Sequence, residues 1–196
     1  MKILKYLIIL LAVLIIGFFA LGFLRPTVEY SSTIVVDKPI EEAWAVMSDE
    51  SRVSEWLKEV KRMEHVSGTP NTVGAVSNIY VDENGEEMMM KETIQKFNPP
   101  NQIAMNFHMD MMDMDYEMIL KEKDGKVEIT SNSITKANSL IFKSILAIVP
   151  SMMKAQEDIN MNNLKKVINE NTKNYFPEPN VPEPVSYTHL TLPTKA

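Results

Sequence analysis

The chain contains no cysteine, and only three arginines, three histidines and six glycines stand among its 196 residues. Zero cysteine excludes disulfides, thiolate metal sites, cysteine nucleophiles and lipid attachment at an N-terminal cysteine. Arg25, Arg52 and Arg62 are scattered, no segment interleaves bases with aromatics, and the formal net charge is −6. A nucleic-acid groove needs the opposite balance, so no nucleic-acid partner is expected. The glycines fall in an apolar N-terminal run and in turns, which leaves no phosphate-binding loop. The G-x-S-x-G elbow and the H-E-x-x-H pair are also missing.

What is present begins with Tyr6 to Leu24, nineteen apolar residues preceded by Lys2 and Lys5 and followed by Arg25-Pro26. As a helix this run spans roughly 28 Å, close to the hydrocarbon thickness of a bilayer. Its length predicts an uncleaved single-pass anchor over residues 1–25. A cleavable signal peptide, giving a secreted or periplasmic product, is the alternative, because its usual apolar core is shorter but Ala20-Leu21-Gly22 offers a small-x-small site. Lys2, Lys5 and the free amine outweigh Arg25 beside Glu29, so the N-terminus is expected in the cytoplasm and the domain outside it.

At the other end, Val185 to Ala196 back-translates to a transposon-end adapter of the kind used in sequencing libraries. This segment is read as a non-native scar, and His189 carries no functional weight. Pro177, Pro179, Pro182 and Pro184 make residues 173–184 a proline-rich extended tail. What remains, residues 27–172, suffices for one domain with one core.

Val28, Tyr30, Ser32, Ile34 and Val36 alternate with polar residues and predict a half-buried strand. Pro39 opens a helix whose Ile40, Ala43, Trp44 and Met47 form one apolar stripe. A short helix over about Arg52 to Leu57 follows. Six strands fit between Lys58 and Lys136, separated by Gly68-Thr-Pro-Asn71, Asn84-Gly85, Pro99-Pro100, a tight turn near Asp110, and Asp124-Gly125. Helical period returns from about Asn138 to Asn171, with Pro150 kinking or splitting the helix.

Glu42-Ala-Trp-Ala-Val-Met-Ser-Asp49 followed by Val53-Ser-Glu-Trp56 resembles the first-helix signature of the polyketide cyclase/START-like superfamily (SRPBCC). Ile94-Gln-Lys-Phe-Asn-Pro-Pro100, Asp124-Gly-Lys-Val-Glu-Ile129 and Asn163-Leu-Lys-Lys-Val167 agree, so the resemblance covers roughly Val28 to Asn171. It implies an α+β START-like helix-grip fold, in which a curved antiparallel sheet wraps a long C-terminal helix. It also implies a cavity for lipids, sterols or other apolar molecules, with only a minority of members being enzymes.

Nine of the fifteen methionines lie between Met88 and Met118. Strand parity puts Ile103, Met105, Phe107 and Met109 on one face, and Met112, Met114, Tyr116, Met118 and Leu120 on one face of the next strand. Met88 and Met90 continue this wall on the preceding strand. Flexible, polarizable thioethers suit apolar ligands of varied shape, and an ordinary methionine core is the competing reading. The expected ligand-lining set is Met88, Met90, Glu92, Ile103, Met105, Phe107, Met114, Tyr116 and Met118. No cofactor is expected.

A third reading is an extracytoplasmic metal- or protein-interaction module whose cavity is only a filled core; soft-metal capture of Cu(I) or Ag(I) would fall to Met109, Met111 and Met112 near His108, but alternation separates His108 from Met109 and only the turn gathers three ligands. His65 and His108 stand alone and are read as exposed or structural. Glu92 shares parity with Met88, Met90 and Ile94, so it points inward unless a bulge reverses it. With Tyr116 it forms the one acid-base pair on which a cyclase- or hydrolase-like enzyme would draw. The favoured reading is a membrane-tethered binder of a lipid or other apolar small molecule that performs no chemistry.

Overall fold

A computed structural model describes residues 2–83 and 85–177. Helix α1 (Lys2–Leu24) is long and apolar enough to cross a membrane, and Ile8, Leu11, Leu14 and Ile16 on it are exposed. Its one buried residue is Gly22, which lies against Ser144; a Cβ there would come within 2.5 Å of the Ser144 backbone nitrogen. Close approach of α1 to the backbone at Ser144 therefore requires glycine at this position.

Strand β1 (Thr27–Val36) alternates as its sequence dictates, burying Val28, Ser32, Ile34 and Val36. Helix α2 (Ile40–Met47) buries Ile40, Ala43, Trp44 and Met47, and Val46 with them. The short second helix is divided. A 3-10 turn, Glu50–Arg52, precedes α3 (Val53–Trp56), because Asp49 accepts hydrogen bonds from the Ser51 N–H and hydroxyl and tightens the chain there.

Six strands follow: β2 (Val60–Ser67), β3 (Val76–Glu83), β4 (Glu86–Asn98), β5 (Gln102–His108), β6 (Met112–Lys123) and β7 (Lys126–Ala137). With β1 they make one antiparallel seven-stranded sheet in the order β1-β7-β6-β5-β4-β3-β2. The β6–β7 hairpin turns at Asp124 (φ 53°) and Gly125 (φ 74°), the left-handed pair that a two-residue turn demands.

Pro150 splits the C-terminal helical region rather than bending it. Helix α4 (Leu140–Leu146), capped by the Ser139 hydroxyl accepting from Phe142 N–H, ends before Pro150 opens α5 (Pro150–Asn169). Proline lacks the N–H that a helix interior uses but fits its first turn. The curved sheet grips α5, whose Met161, Leu164 and Ile168 are wholly buried against Val36, Leu120 and Ile129 in the main core. This is the α+β START-like helix-grip fold.

The chain beyond α5 does not leave the domain at once. Asn171 is buried, and Lys173 and Tyr175 both donate to Asp49, at 2.7 and 2.8 Å. The rest of the proline-rich tail and residues 185–196, expected to be a scar, lie outside the described residues.

Candidate functional site

Between the sheet and α5 lies a cavity of about 440 Å³. Alternation on three neighbouring strands builds one wall. Residues that pair across β4, β5 and β6 share a face, and the register matches Glu92 to Phe107, Ile94 to Met105, Met105 to Tyr116, Phe107 to Met114, and Ile103 to Met118. Of the expected set, Met90, Glu92, Ile103, Met105, Phe107, Met114, Tyr116 and Met118 line the cavity, and Met88 does not. Met88 is half-buried near the start of β4, where the strand has run past the lining. Residues outside the expected wall close the space: Met47 of α2, Val53 and Trp56 of α3, Met63 of β2, and Met153 and Glu157 of α5.

Met118 belongs to two environments. It lines the cavity, yet it is 2% exposed and packs within the main core. Met105 and Met114 are half-buried around Phe107, whose ring meets Tyr116 edge to face at 6.3 Å.

Glu92 points inward, since the β4 bulge falls between Ile94 and Lys96, beyond it. It is 8% exposed and has no hydrogen-bond partner among the described residues. Burial, with the Glu50 charge nearby, pushes its carboxyl up to about 7.

The pairing of Glu92 with Tyr116 needs correction. The Tyr116 hydroxyl donates at 2.8 Å to Oε1 of Glu157, which also accepts from Ser131. Burial and the adjacent Glu157 charge raise the Tyr116 phenol well above its ordinary value, so it serves as a donor. Tyr30, raised by burial and by the same charge, lies nearby. Sequence reasoning missed Glu157. The α5 stripe of Met161, Leu164 and Ile168, continued back by four residues, reaches this carboxylate, and its place on an apolar stripe was the available signal.

His65 is exposed, its Nε2 2.9 Å from the Gly68 carbonyl, and His108 is exposed and 2.5 Å from Asp113 across the β5–β6 hairpin. His65 is among the residues lining the cavity, and His108 is not. Met109 and Met112 exchange backbone hydrogen bonds across the turn, and the Met112 side chain packs against the buried cluster of Val28, Ala137 and Leu146. The turn therefore does not present all three thioethers, Met109, Met111 and Met112, as free ligands.

A curved sheet closed by a helix over an apolar cavity defines a hydrophobic-ligand module of the helix-grip class. The chain belongs to the polyketide cyclase / dehydrase and lipid transport family, whose model matches residues 27–169. No curated protein matches it. TTHA0849 from Thermus thermophilus is 15% identical with a TM-score of 0.59, over 71% of this chain and 96% of that one. The di-domain ARO/CYC StfQ from the steffimycin biosynthetic pathway is 9% identical with a TM-score of 0.60, over 72% of this chain and 50% of that one. Ara h 8.0201 is 11% identical with a TM-score of 0.53, over 70% of this chain and 98% of that one. Likenesses at these identities speak for the fold alone.

Proposed function

We propose that this protein is a membrane-tethered module that holds a lipid or other apolar small molecule in a methionine-rich cavity, without chemistry. The observation that carries the reading is the cavity itself, about 440 Å³ and walled by Met90, Met105, Met114, Phe107 and Ile103. Its size is that of small-molecule sites rather than of packing defects. At about 25 cal/mol per Å², a ligand hiding roughly 300 Å² of apolar surface gains on the order of 7 kcal/mol before ordering costs. The thioethers adapt to ligand shape at little cost, so the wall suits a class of apolar molecules more than one rigid compound.

Tethering is supported by α1 and by what surrounds its C-terminal end. Helix α4 packs on α1 and exposes Leu140, Ile141 and Ile145 beside it, with Ile148 and Met152 continuing the apolar surface. A span ending beside an apolar ridge seats the domain on the bilayer, where such a ridge is solvated by acyl chains. The N-terminus is read as cytoplasmic and the domain as extracytoplasmic. Native mass spectrometry of detergent-extracted protein should show a co-purifying apolar molecule; bare protein, together with no binding of an apolar dye, contradicts the reading.

One observation favours a second reading, a cyclase- or hydrolase-like enzyme. Glu92 is an inward carboxyl poised near neutral pH. Such chemistry needs a partner for Glu92, and among the described residues Tyr116 is committed to Glu157 instead.

A further inference from the structure

The cavity lining carries the carboxylates of Asp49, Glu50, Glu59, Glu92 and Glu157, and no lysine or arginine. Three of these five are occupied. Asp49 is bound by Lys173, Ser51 and Tyr175, Glu59 by Gln156, and Glu157 Oε1 by Tyr116 and Ser131. Glu92 is different: a side chain 8% exposed, facing the cavity, with no partner among the described residues. A buried carboxyl without a partner costs free energy, and a ligand group that donates to it recovers that loss.

Resting on the binding reading above, we propose that the cavity selects apolar molecules whose polar head is a hydrogen-bond donor, an amine or a hydroxyl, and rejects those whose head is a carboxylate or phosphate. A protonated amine completes Glu92 as an ion pair, and a hydroxyl completes it as a neutral hydrogen bond. An anionic head faces the carboxylates of Glu92 on the sheet, Glu50 on the 3-10 turn and Glu157 on α5, and among the described lining residues no lysine or arginine offsets its desolvation, only the exposed His65 ring and the unpaired Trp56 indole N–H. The head is therefore drawn to the Glu92 end of the wall. The chain of the ligand lies along Met105 and Met114.

The test is competition against a neutral apolar dye, N-phenylnaphthylamine, on the full chain in detergent-free nanodiscs of neutral lipid. The competitors are dodecylamine, dodecanol and dodecanoate, each below its micellar concentration. Dodecylamine and dodecanol should displace the dye at concentrations about tenfold or more below dodecanoate, equivalent to about 1.4 kcal/mol of discrimination. In Glu92→Gln the amine-to-acid ratio should collapse toward unity, and Glu50→Gln should lower it less. Dodecanoate equal to or better than the amine overturns the proposal, as does an unchanged ratio in Glu92→Gln. Failure of the dye to bind the parent protein at all is a separate result, which removes the cavity reading and this proposal with it.

Discussion

Glu92 sits 8% exposed between Ser77 of β3 and Phe107 of β5, its carboxyl raised to about 7 first by burial and then by Glu50. An unfolded glutamate titrates near 4.5, so between that value and about 7 the folded chain keeps a proton that the unfolded chain has released. Stability from this group is complete below about 4.5, declines through the window, and is lost above about 7. The loss is on the order of 3 kcal/mol. Denaturant titrations at several pH values should show this fall, and Glu92→Gln should flatten it; an equal slope in the variant would contradict the burial described. Asp49 acts oppositely. Although burial opposes it, hydrogen bonds from Lys173, Ser51 and Tyr175 hold it far below the usual carboxylate range, so its contribution is lost only in stronger acid. At this scale parity offered an inward Glu92 with a reversing bulge as the alternative, and the bulge lies beyond it, between Ile94 and Lys96. Glu157 was not legible, because on a helix a carboxylate betrays its burial only through a stripe traced across three turns.

The methionines divide by what surrounds them. Met114 is half-buried on the cavity wall, whereas Met118 is 2% exposed among Leu120, Met161 and the rest of the main core. Met114→Trp should therefore fill empty space and block dye binding at small cost to the thermal midpoint. Met118→Trp should overpack and destabilise by roughly 1 to 3 kcal/mol. A large loss from Met114→Trp would mean that the wall is a filled core.

Among the elements, α4 and α1 form the unit with most to test. Gly22 lets α1 approach Ser144, and Gly22→Leu should force the helices apart, destabilising the α1–α4 contact by about 1 to 3 kcal/mol and raising amide exchange in α4. If α4 rests on lipid, a single cysteine at Ile141 or Ile148 should be shielded from a membrane-impermeant maleimide in proteoliposomes, while one at Lys165 on α5 reacts freely. The chain has no native cysteine, so the labelling is unambiguous. Equal rates at both positions would lift α4 off the bilayer. The order of strands and helices was readable from period and turn chemistry, since Asp124-Gly125 and Pro150 each leave few conformational options. The packing of α1 on α4 was not, because a contact between distant helices leaves no local pattern beyond a glycine.

As a whole, the molecule joins an apolar helix, an apolar ridge and an apolar cavity in one chain, and fastens its C-terminal segment back onto α2. That fastening uses two signature residues and their neighbour: Asp49 accepts from Lys173 and Tyr175, Glu42 accepts from Asn171 at 2.8 Å, and Arg52 donates to Asn171 Oδ1 at 2.7 Å. Part of the sequence pattern that resembles the superfamily thus holds the fold closed. Family and fold were legible in that pattern, while the full set of carboxylates lining the cavity was not. The proposed function requires that cavity to be empty space that takes up apolar molecules. The most direct measurement is native mass spectrometry of the detergent-extracted full chain beside its Met114→Trp variant. An apolar adduct on the parent and none on the equally stable variant is the expected result. Bare parent protein that also fails to bind N-phenylnaphthylamine would contradict it.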